Sequence, residues 1–417
     1  MKPNQPFRLG ILRESKKPLD LRTPLIPGDC RDLLKANPGL EIRVQPSSFR
    51  CFADQYYLDA GCIIQEDMSE CNLIIGVKEV ALDQLLPEHA FAFFSHTIKA
   101  QPYNQDLMRY MVRNRISLYD YELITNESGQ RTVAFGYWAG IVGAWHGLRM
   151  RGLRSGTFSW PRAVEIGTYQ GLQQILKHEG YLLANQDSSP LRVLLCGSGR
   201  VGQGAAQVLN DAGFMAFDPQ DFLASQGNLP TAIHGIYTVL RSKDLFRPKD
   251  SSPYTTEAFY THPQDFESCV KPYLSNADLM VNTIYWNSAA PRYFNASQIQ
   301  DSEFTVQQIA DISCDIEGSV PLTIRPSTID HPYYGIARDT LRETPAFEPN
   351  SVDIMAVDNL PCELPAEASR DFSAALCRNF LNSLIQNAPQ MPCNFILLDQ
   401  GNLHPSFEYL KSYAGID

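Results

Sequence analysis

A chain of 417 residues, 44% hydrophobic and 19% charged, has the composition of a globular protein but is long for one hydrophobic core, so two domains are expected. Its formal net charge of -11 repels a phosphate backbone, and no local run of Lys or Arg compensates, so no nucleic-acid partner is expected. No stretch approaches the roughly 18 consecutive apolar residues of a membrane span, and no membrane partner is expected either. Residues 1–7 are polar and lack the apolar centre of a secretory signal, which places the ten cysteines in a reducing cytoplasm, unpaired. They form no C-x-x-C pair and no H-x-x-x-H accompanies them, so no metal site is expected.

The first third alternates short apolar runs with helical stretches. Strands are predicted at 7–12, 73–77, 91–95 and 116–119, with helices after Pro27 and from Tyr103, the rhythm of a parallel sheet with crossover helices. The apolar, glycine-containing segment 135–153, interrupted by His146 and Arg149, reads as a helix that bridges two lobes. A second rhythm follows: a strand at Leu191–Cys196, a helix over 200–212, and strands at 214–217, 279–284 and 305–312. From Met355 onward an acidic, Ala-rich helix (363–388) and a short strand (394–398) are expected to return to the first lobe. Segments 246–254 and 326–334 read as loops. The fold class is α/β, two Rossmann-like doubly wound domains with a cleft between them. Residues 1–137 plus about 340–417 are expected to form the substrate-binding catalytic domain and 138–339 the dinucleotide-binding domain.

Residues 193–204, V-L-L-C-G-S-G-R-V-G-Q-G, place Gly197, Gly199 and Gly202 in G-x-G-x-x-G spacing after a strand and at the start of a helix, with Ser198, Arg200 and Val201 between them. Gly197 permits the tight turn, Gly199 lets a pyrophosphate approach the backbone, and Gly202 lets the helix pack on the strand. The helix N-terminus offers unpaired N–H groups to the phosphates. Asp218, about twenty residues on, either accepts the adenosine ribose hydroxyls, which favours NAD, or simply starts an Asp-Pro turn.

Three motifs concentrate chargeable residues at the ends of the first-lobe strands, where ligands bind in open α/β sheets. They are L-R-E-S-K-K-P-L-D-L-R-T-P-L-I-P (12–27), I-I-G-V-K-E-V (74–80) and F-F-S-H-T-I-K-A-Q (93–101). Singly, Arg22 reads as a surface cation, Lys78 and Glu79 as a strand end, and His96 as a satisfied core histidine; together, ahead of a dinucleotide domain, they point to a site.

In this order the motifs resemble the family that joins alanine dehydrogenase, the nicotinamide nucleotide transhydrogenase domain and saccharopine dehydrogenase. The narrower likeness, to the lysine-forming saccharopine dehydrogenase and lysine–2-oxoglutarate reductase branch, rests on S-H-T-I-K-A-Q, L-Y-D-Y-E-L-I, V-A-F-G-Y-W-A-G (133–140), G-I-Y-T-V-L-R (235–241), N-T-I-Y-W (282–286), I-A-D-I-S-C-D-I-E-G-S (309–319) and V-D-N-L-P-C-E-L-P-A-E-A-S (357–369). The resemblance implies NAD or NADP as cofactor, lysine, 2-oxoglutarate and saccharopine as small-molecule substrates, a chain holding the reductase half alone, and a monomer or small homo-oligomer. Lys78 would exchange a proton with the secondary amine and His96 would serve the carbinolamine and water steps, moderated by Glu79 and Glu122. Arg22 would clamp a carboxylate, with Arg13, Lys99 and Gln101 nearby. Arg131 and Phe135 would stand at the lobe junction, Arg131 toward the cofactor. Asp315 would face this cluster and pair with Lys99. Ile284, Tyr285, Ile312, Ser313 and Cys314 would line the cofactor. The choice of cofactor stays open: Asp218 favours NAD, whereas the reductase half is associated with NADPH. Two alternatives also stay open, an alanine-dehydrogenase-like enzyme, which would share Arg22, Lys78 and His96, and a non-catalytic dinucleotide-sensing protein.

Overall fold

A computed structural model describes residues 6–16, 19–127, 129–185, 189–225, 233–386 and 395–416. The chain divides into two compact units, Met1–Phe135 with Pro365–Asp417, and Gly136–Leu364. The first begins with six parallel strands: β1 (Phe7–Ile11), β2 (Leu40–Val44), β3 (Ile63–Ile64), β4 (Leu73–Ile75), β5 (Ala90–Phe93) and β6 (Ser117–Asp120). In β4, Leu73, Ile74 and Ile75 are all fully buried, as in a parallel sheet covered on both faces, which is why the run is apolar without alternation. The helix Pro27–Ala36 opens with Pro in its first turn, where the missing N–H costs nothing, and Gln105–Arg113 lays Leu107, Met108 and Met111 inward. Strand β2, L-E-I-R-V, was not expected from the sequence. Its charged pair is tied down at the rim by Arg43 ion pairs to Glu41 (3.3 Å) and Glu70 (2.7 Å).

The second unit carries β7 (Leu191–Cys196), β8 (Met215–Phe217), β9 (Gly235–Leu240), a two-stranded ribbon of β10 (Phe246–Pro248) and β11 (Phe266–Ser268), then β12 (Leu279–Asn282), β13 (Gln308–Asp311), β14 (Tyr333–Ala337), β15 (Glu343–Thr344) and β16 (Ser351–Met355). The main sheet runs β15-β14-β16-β13-β12-β7-β9-β8, with β14 and β15 antiparallel at one edge. Three expectations are corrected. The supposed loops 246–254 and 326–334 contain β10 and the start of β14. Residues 340–364 belong to the second unit, because β16 pairs in parallel with β13, Gln308 opposite Asp353, and completes that sheet. The helix Gly136–Ser155 lies wholly in the second unit, packed backbone to backbone on the helix Arg200–Asp211. A Cβ on Gly140 would stand 1.9 Å from the Val201 carbonyl oxygen, and one on Gly204 would stand 2.0 Å from that of Tyr137. His146 of the same helix is fully buried between the Tyr333 hydroxyl and the Glu363 carboxylate, each at 2.7 Å.

The last segment rejoins the first unit, as the sequence suggests. The helix Pro365–Leu376 continues through a π turn at Cys377–Leu381 into Asn382–Gln386; positions 387–388 of the expected helix and Asn394 of the expected strand lie outside the described residues. Strands β17 (Ile396–Asp399) and β18 (Asn402–Leu403) then extend the first sheet to the order β18-β17-β6-β5-β4-β1-β2-β3, with β17 antiparallel to β6. Phe94, Tyr121, Phe135 and Phe372 form an aromatic cluster in this unit, the rings of Phe135 and Phe372 stacked at 4.4 Å.

Candidate active site

Four neighbouring strands of the first unit, β1, β4, β5 and β6, deliver chargeable residues to one carboxyl edge. After β1, the buried Glu14 accepts hydrogen bonds from the backbone N–H of Val77 (2.7 Å) and Lys78 (3.0 Å), and so holds the segment that follows β4. Burial, reinforced by the charge of Asp20, pushes its carboxyl up to about 7 against those two bonds and the nearby Arg22. Lys78 is half-buried, and its ammonium makes no ion pair with the described residues. Beside it, Glu79 accepts from Lys16 Nζ (2.7 Å) and His96 Nδ1 (2.8 Å). Burial raises the Glu79 carboxyl, but the two hydrogen bonds and the His96 charge outweigh it and hold the group well below the usual carboxylate range. An ionised Glu79 takes the proton on Nδ1 and leaves Nε2 as the open nitrogen of His96.

The backbone around His96 is fixed from both sides. Its φ of 53° is left-handed, a conformation that costs a non-glycine residue roughly 1–3 kcal/mol and marks functional sites. Ser95 Oγ donates to Asp120 and is bonded to Thr97 Oγ1 at 2.6 Å, while Asn104 Nδ2 donates to the Ser95 carbonyl at 3.0 Å. Asp120 is pushed up to about 6, by burial first and by the neighbouring Glu122 second.

Arg22 is not a solvated cation. Its Nε and Nη2 hold the Asp20 carboxylate at 2.9 and 2.5 Å, both side chains are 2% exposed, and its guanidinium lies 4.1 Å over the Phe135 ring. Glu122, expected to moderate Lys78 and His96, is instead paired with Arg131 Nη2 at 2.6 Å, and its Oε2 is buried with no hydrogen-bond partner among the described residues. Arg13, expected beside the clamp, is committed to Glu66 by two bonds of 2.5 and 2.7 Å. Lys99 is exposed on the turn after β5. Gln101 follows it, and its carbonyl accepts from the Tyr413 hydroxyl at 2.6 Å. Glu14, Lys16, Asp20, Ser95 and Asp120 were not picked out from the sequence. Glu14, Lys16 and Asp20 stand within the first motif, but only the fold reveals that they hold, in turn, the backbone of Lys78, the carboxylate of Glu79 and the guanidinium of Arg22.

In the second unit the three glycines differ in what surrounds them. Gly197 has φ +112°, a Cβ on Gly202 would stand 2.2 Å from the Gly197 carbonyl oxygen, and a Cβ on Gly199 would meet nothing within 4 Å. The open space lies at the first turn of the helix Arg200–Asp211, beside exposed Ser198 and Arg200, so the loop fits a pyrophosphate on backbone N–H groups. Thr283 anchors the neighbouring loop through its N–H and hydroxyl on the Cys196 carbonyl (2.9 and 2.7 Å), with Ile284 against Gly197 and Tyr285 exposed. After β13, Ile312 N–H donates to the Asn282 carbonyl (2.9 Å), Ser313 Oγ donates to Asp311 (2.7 Å), and Cys314 has φ 54°. Asp315 accepts from Trp286 N–H at 3.4 Å. Asp218 ends the edge strand β8, exposed, at the N-cap of the helix Pro219–Ala224 without a capping bond from its side chain.

Residues 10–142 match the family model described as alanine dehydrogenase/PNT, N-terminal domain. The chain is 33% identical over 442 residues to alpha-aminoadipic semialdehyde synthase of Arabidopsis thaliana, covering 96% of this chain and 41% of that protein. It is 26% identical over 387 residues to saccharopine dehydrogenase [NAD(+), L-lysine-forming] of Yarrowia lipolytica, covering 89% of this chain and 90% of that protein. The chain thus spans less than half the length of the semialdehyde synthase. Among solved structures, an L-alanine dehydrogenase superposes with a TM-score of 0.65 at 17% identity, covering 97% of this chain and 99% of the other, a likeness of fold.

Proposed function

We propose that this chain, a homologue of the L-lysine-forming saccharopine dehydrogenases with an alanine dehydrogenase/PNT N-terminal domain, is a nicotinamide-dinucleotide-dependent oxidoreductase acting on a CH–NH bond. Its reaction, in this reading, interconverts saccharopine, water and oxidised NAD(P) with lysine, 2-oxoglutarate, reduced NAD(P) and a proton. The observation that carries it is the Glu79–His96 pair (2.8 Å) standing beside Lys78 at the carboxyl ends of adjacent strands. Two proton-handling groups are what imine chemistry requires: one for the secondary amine, one for adding and removing water at the carbon.

When bound, the nicotinamide supplies or accepts the hydride. Lys78 takes the proton of the secondary amine as the imine forms. His96, with Nδ1 held by Glu79, uses Nε2 to activate water toward the imine carbon and then passes a proton to the departing lysine amine. Arg22, aligned by Asp20 and Phe135, is the cation that would clamp a substrate carboxylate. The glycine loop holds the pyrophosphate, with Ile284, Tyr285, Ile312, Ser313 and Cys314 toward the rest of the dinucleotide.

Adding saccharopine to the purified protein with NAD or NADP should raise the absorbance of the reduced cofactor, and lysine plus 2-oxoglutarate should consume it. Turnover with alanine and not with saccharopine would replace this reading with an alanine dehydrogenase. No turnover with either, despite dinucleotide binding, would leave a sensor.

A further inference from the structure

The glycine loop occupies the carboxyl edge of the second sheet. At the opposite, amino edge lies a separate cavity of about 600 Å³, walled by the segments that enter β12, β13 and β16 and by the turn that leaves β14. That volume is in the range of small-molecule sites, roughly 300–1,000 Å³. Its charged lining is Arg154, Arg338, Asp278, Asp301 and Asp339.

Two of these charges are already answered. Arg154 Nη1 donates to the buried Asp353 at 2.8 Å, and Asp278 accepts the N–H of Arg192 at 2.9 Å and lies in the field of that arginine. The other three are not. The half-buried guanidinium of Arg338 donates only to carbonyl oxygens, those of Ile299 (2.6 Å), Phe304 (3.2 Å) and Val306 (2.9 Å), and forms no ion pair among the described residues. These bonds spend three of the five N–H groups of a guanidinium and leave the others for a ligand. Burial, and then the neighbouring charge of Arg154, lower its pKa, as for a cation that lacks a counter-ion. Asp301 and Asp339 are exposed and accept only backbone N–H groups, from Glu303 at 2.9 Å and Thr340 at 2.8 Å. Lys271, which shares a neighbouring hollow with Asp301, is taken by Glu303 at 3.3 Å.

One unanswered cation and two unanswered acids thus line a single cavity without pairing with one another. A simple anion placed there would meet Asp301 and Asp339, and a simple diamine would meet Arg338. A molecule with one carboxylate and two ammonium groups answers all three. We infer that this cavity is a second small-molecule site and that it takes a dibasic amino acid, its carboxylate on Arg338 and its two ammonium groups on Asp301 and Asp339. An arginine fork suits a carboxylate, and each ammonium gains charge-assisted bonds to an acid. The identification of that amino acid as lysine rests on the proposed reaction, which forms and consumes it.

Equilibrium dialysis of radiolabelled lysine against the full chain counts the sites. Asp301→Asn combined with Asp339→Asn keeps both side-chain oxygens as acceptors for the backbone and removes only the charges. This double variant should bind one lysine fewer per chain than wild type, with the initial rate of saccharopine oxidation unchanged. Cadaverine, which lacks the carboxylate, and glutarate, which lacks the ammonium groups, should not displace the lysine that the double variant loses. Equal lysine counts in wild type and double variant would overturn the inference, as would displacement of that lysine by cadaverine or by glutarate. A chain that oxidises no saccharopine yet loses one bound lysine in the double variant would keep this site and remove the proposed reaction instead.

Discussion

At the carboxyl edge of the first sheet most candidate site residues are held by a charged partner: Arg22 by Asp20, His96 by Glu79, Arg131 by Glu122. The glycine loop of the second sheet is made of backbone and of space, with no side chain within 4 Å of where Gly199 would carry a Cβ. A charge taken out of water needs a partner or its cost is several kcal/mol, so the first edge is crowded with supporting residues. A phosphate held on N–H groups needs only room, so the second edge is crowded with glycines. The first should therefore fail by leaving a charge unpaired, the second by steric overlap.

The largest effect is expected at Lys78, which bears no ion pair among the described residues. Lys78→Met should slow saccharopine oxidation by roughly 10²–10⁴-fold, as loss of a general base does, and remove one limb of the pH–rate curve with little change in Tm. A large fall in Tm with a normal rate per folded molecule would make Lys78 part of the scaffold.

Arg22→Ala should show the opposite balance. It removes the guanidinium that holds the Asp20 carboxylate at 2% side-chain exposure, so unfolding free energy should drop by about 3–5 kcal/mol. The double variant Asp20→Leu with Arg22→Met should recover much of that stability and none of the substrate affinity. Equal stability of wild type and Arg22→Ala in urea unfolding would show that the pair contributes nothing to the fold.

Glu14 gives the first edge a pH signature. Its folded carboxyl lies near 7, above the 4.5 of an ordinary glutamate, so the folded protein keeps a proton that the unfolded chain releases. The associated stability is full below about pH 4.5 and is lost as pH rises through 7, a change of about 3 kcal/mol. Glu14→Gln should flatten that part of the stability–pH curve, measured by urea unfolding between pH 5 and 8. An unchanged slope would mean that Glu14 ionises normally.

The smallest effects separate two glycines of one motif. Gly202→Ala should cost about 1–3 kcal/mol of stability through overlap with the Gly197 carbonyl. Gly199→Val should leave Tm nearly unchanged and abolish dinucleotide binding by calorimetry. The reverse pattern would exchange their roles.

Much of this protein is legible in its sequence. Short apolar runs marked β1, β4, β5, β6 and β7, because strands of a covered parallel sheet are apolar on both faces. The G-x-G-x-x-G spacing marked the phosphate loop, because the roles of its glycines are local. What stayed hidden depended on neighbours distant in sequence. Glu14 reads as one more surface acid until it is seen on the N–H groups of residues more than sixty positions away. Arg13 and Arg22 look alike in a motif, and only the fold gives Glu66 to one and Asp20 with Phe135 to the other. Strand order is the sharpest case. Counting about twenty residues from the glycine loop leads to Asp218, but pairing is decided by which strand buries best against β7. The buried β9 displaces the mostly exposed β8 from that place, because register and adjacency are settled by burial across the sheet, not by distance along the chain.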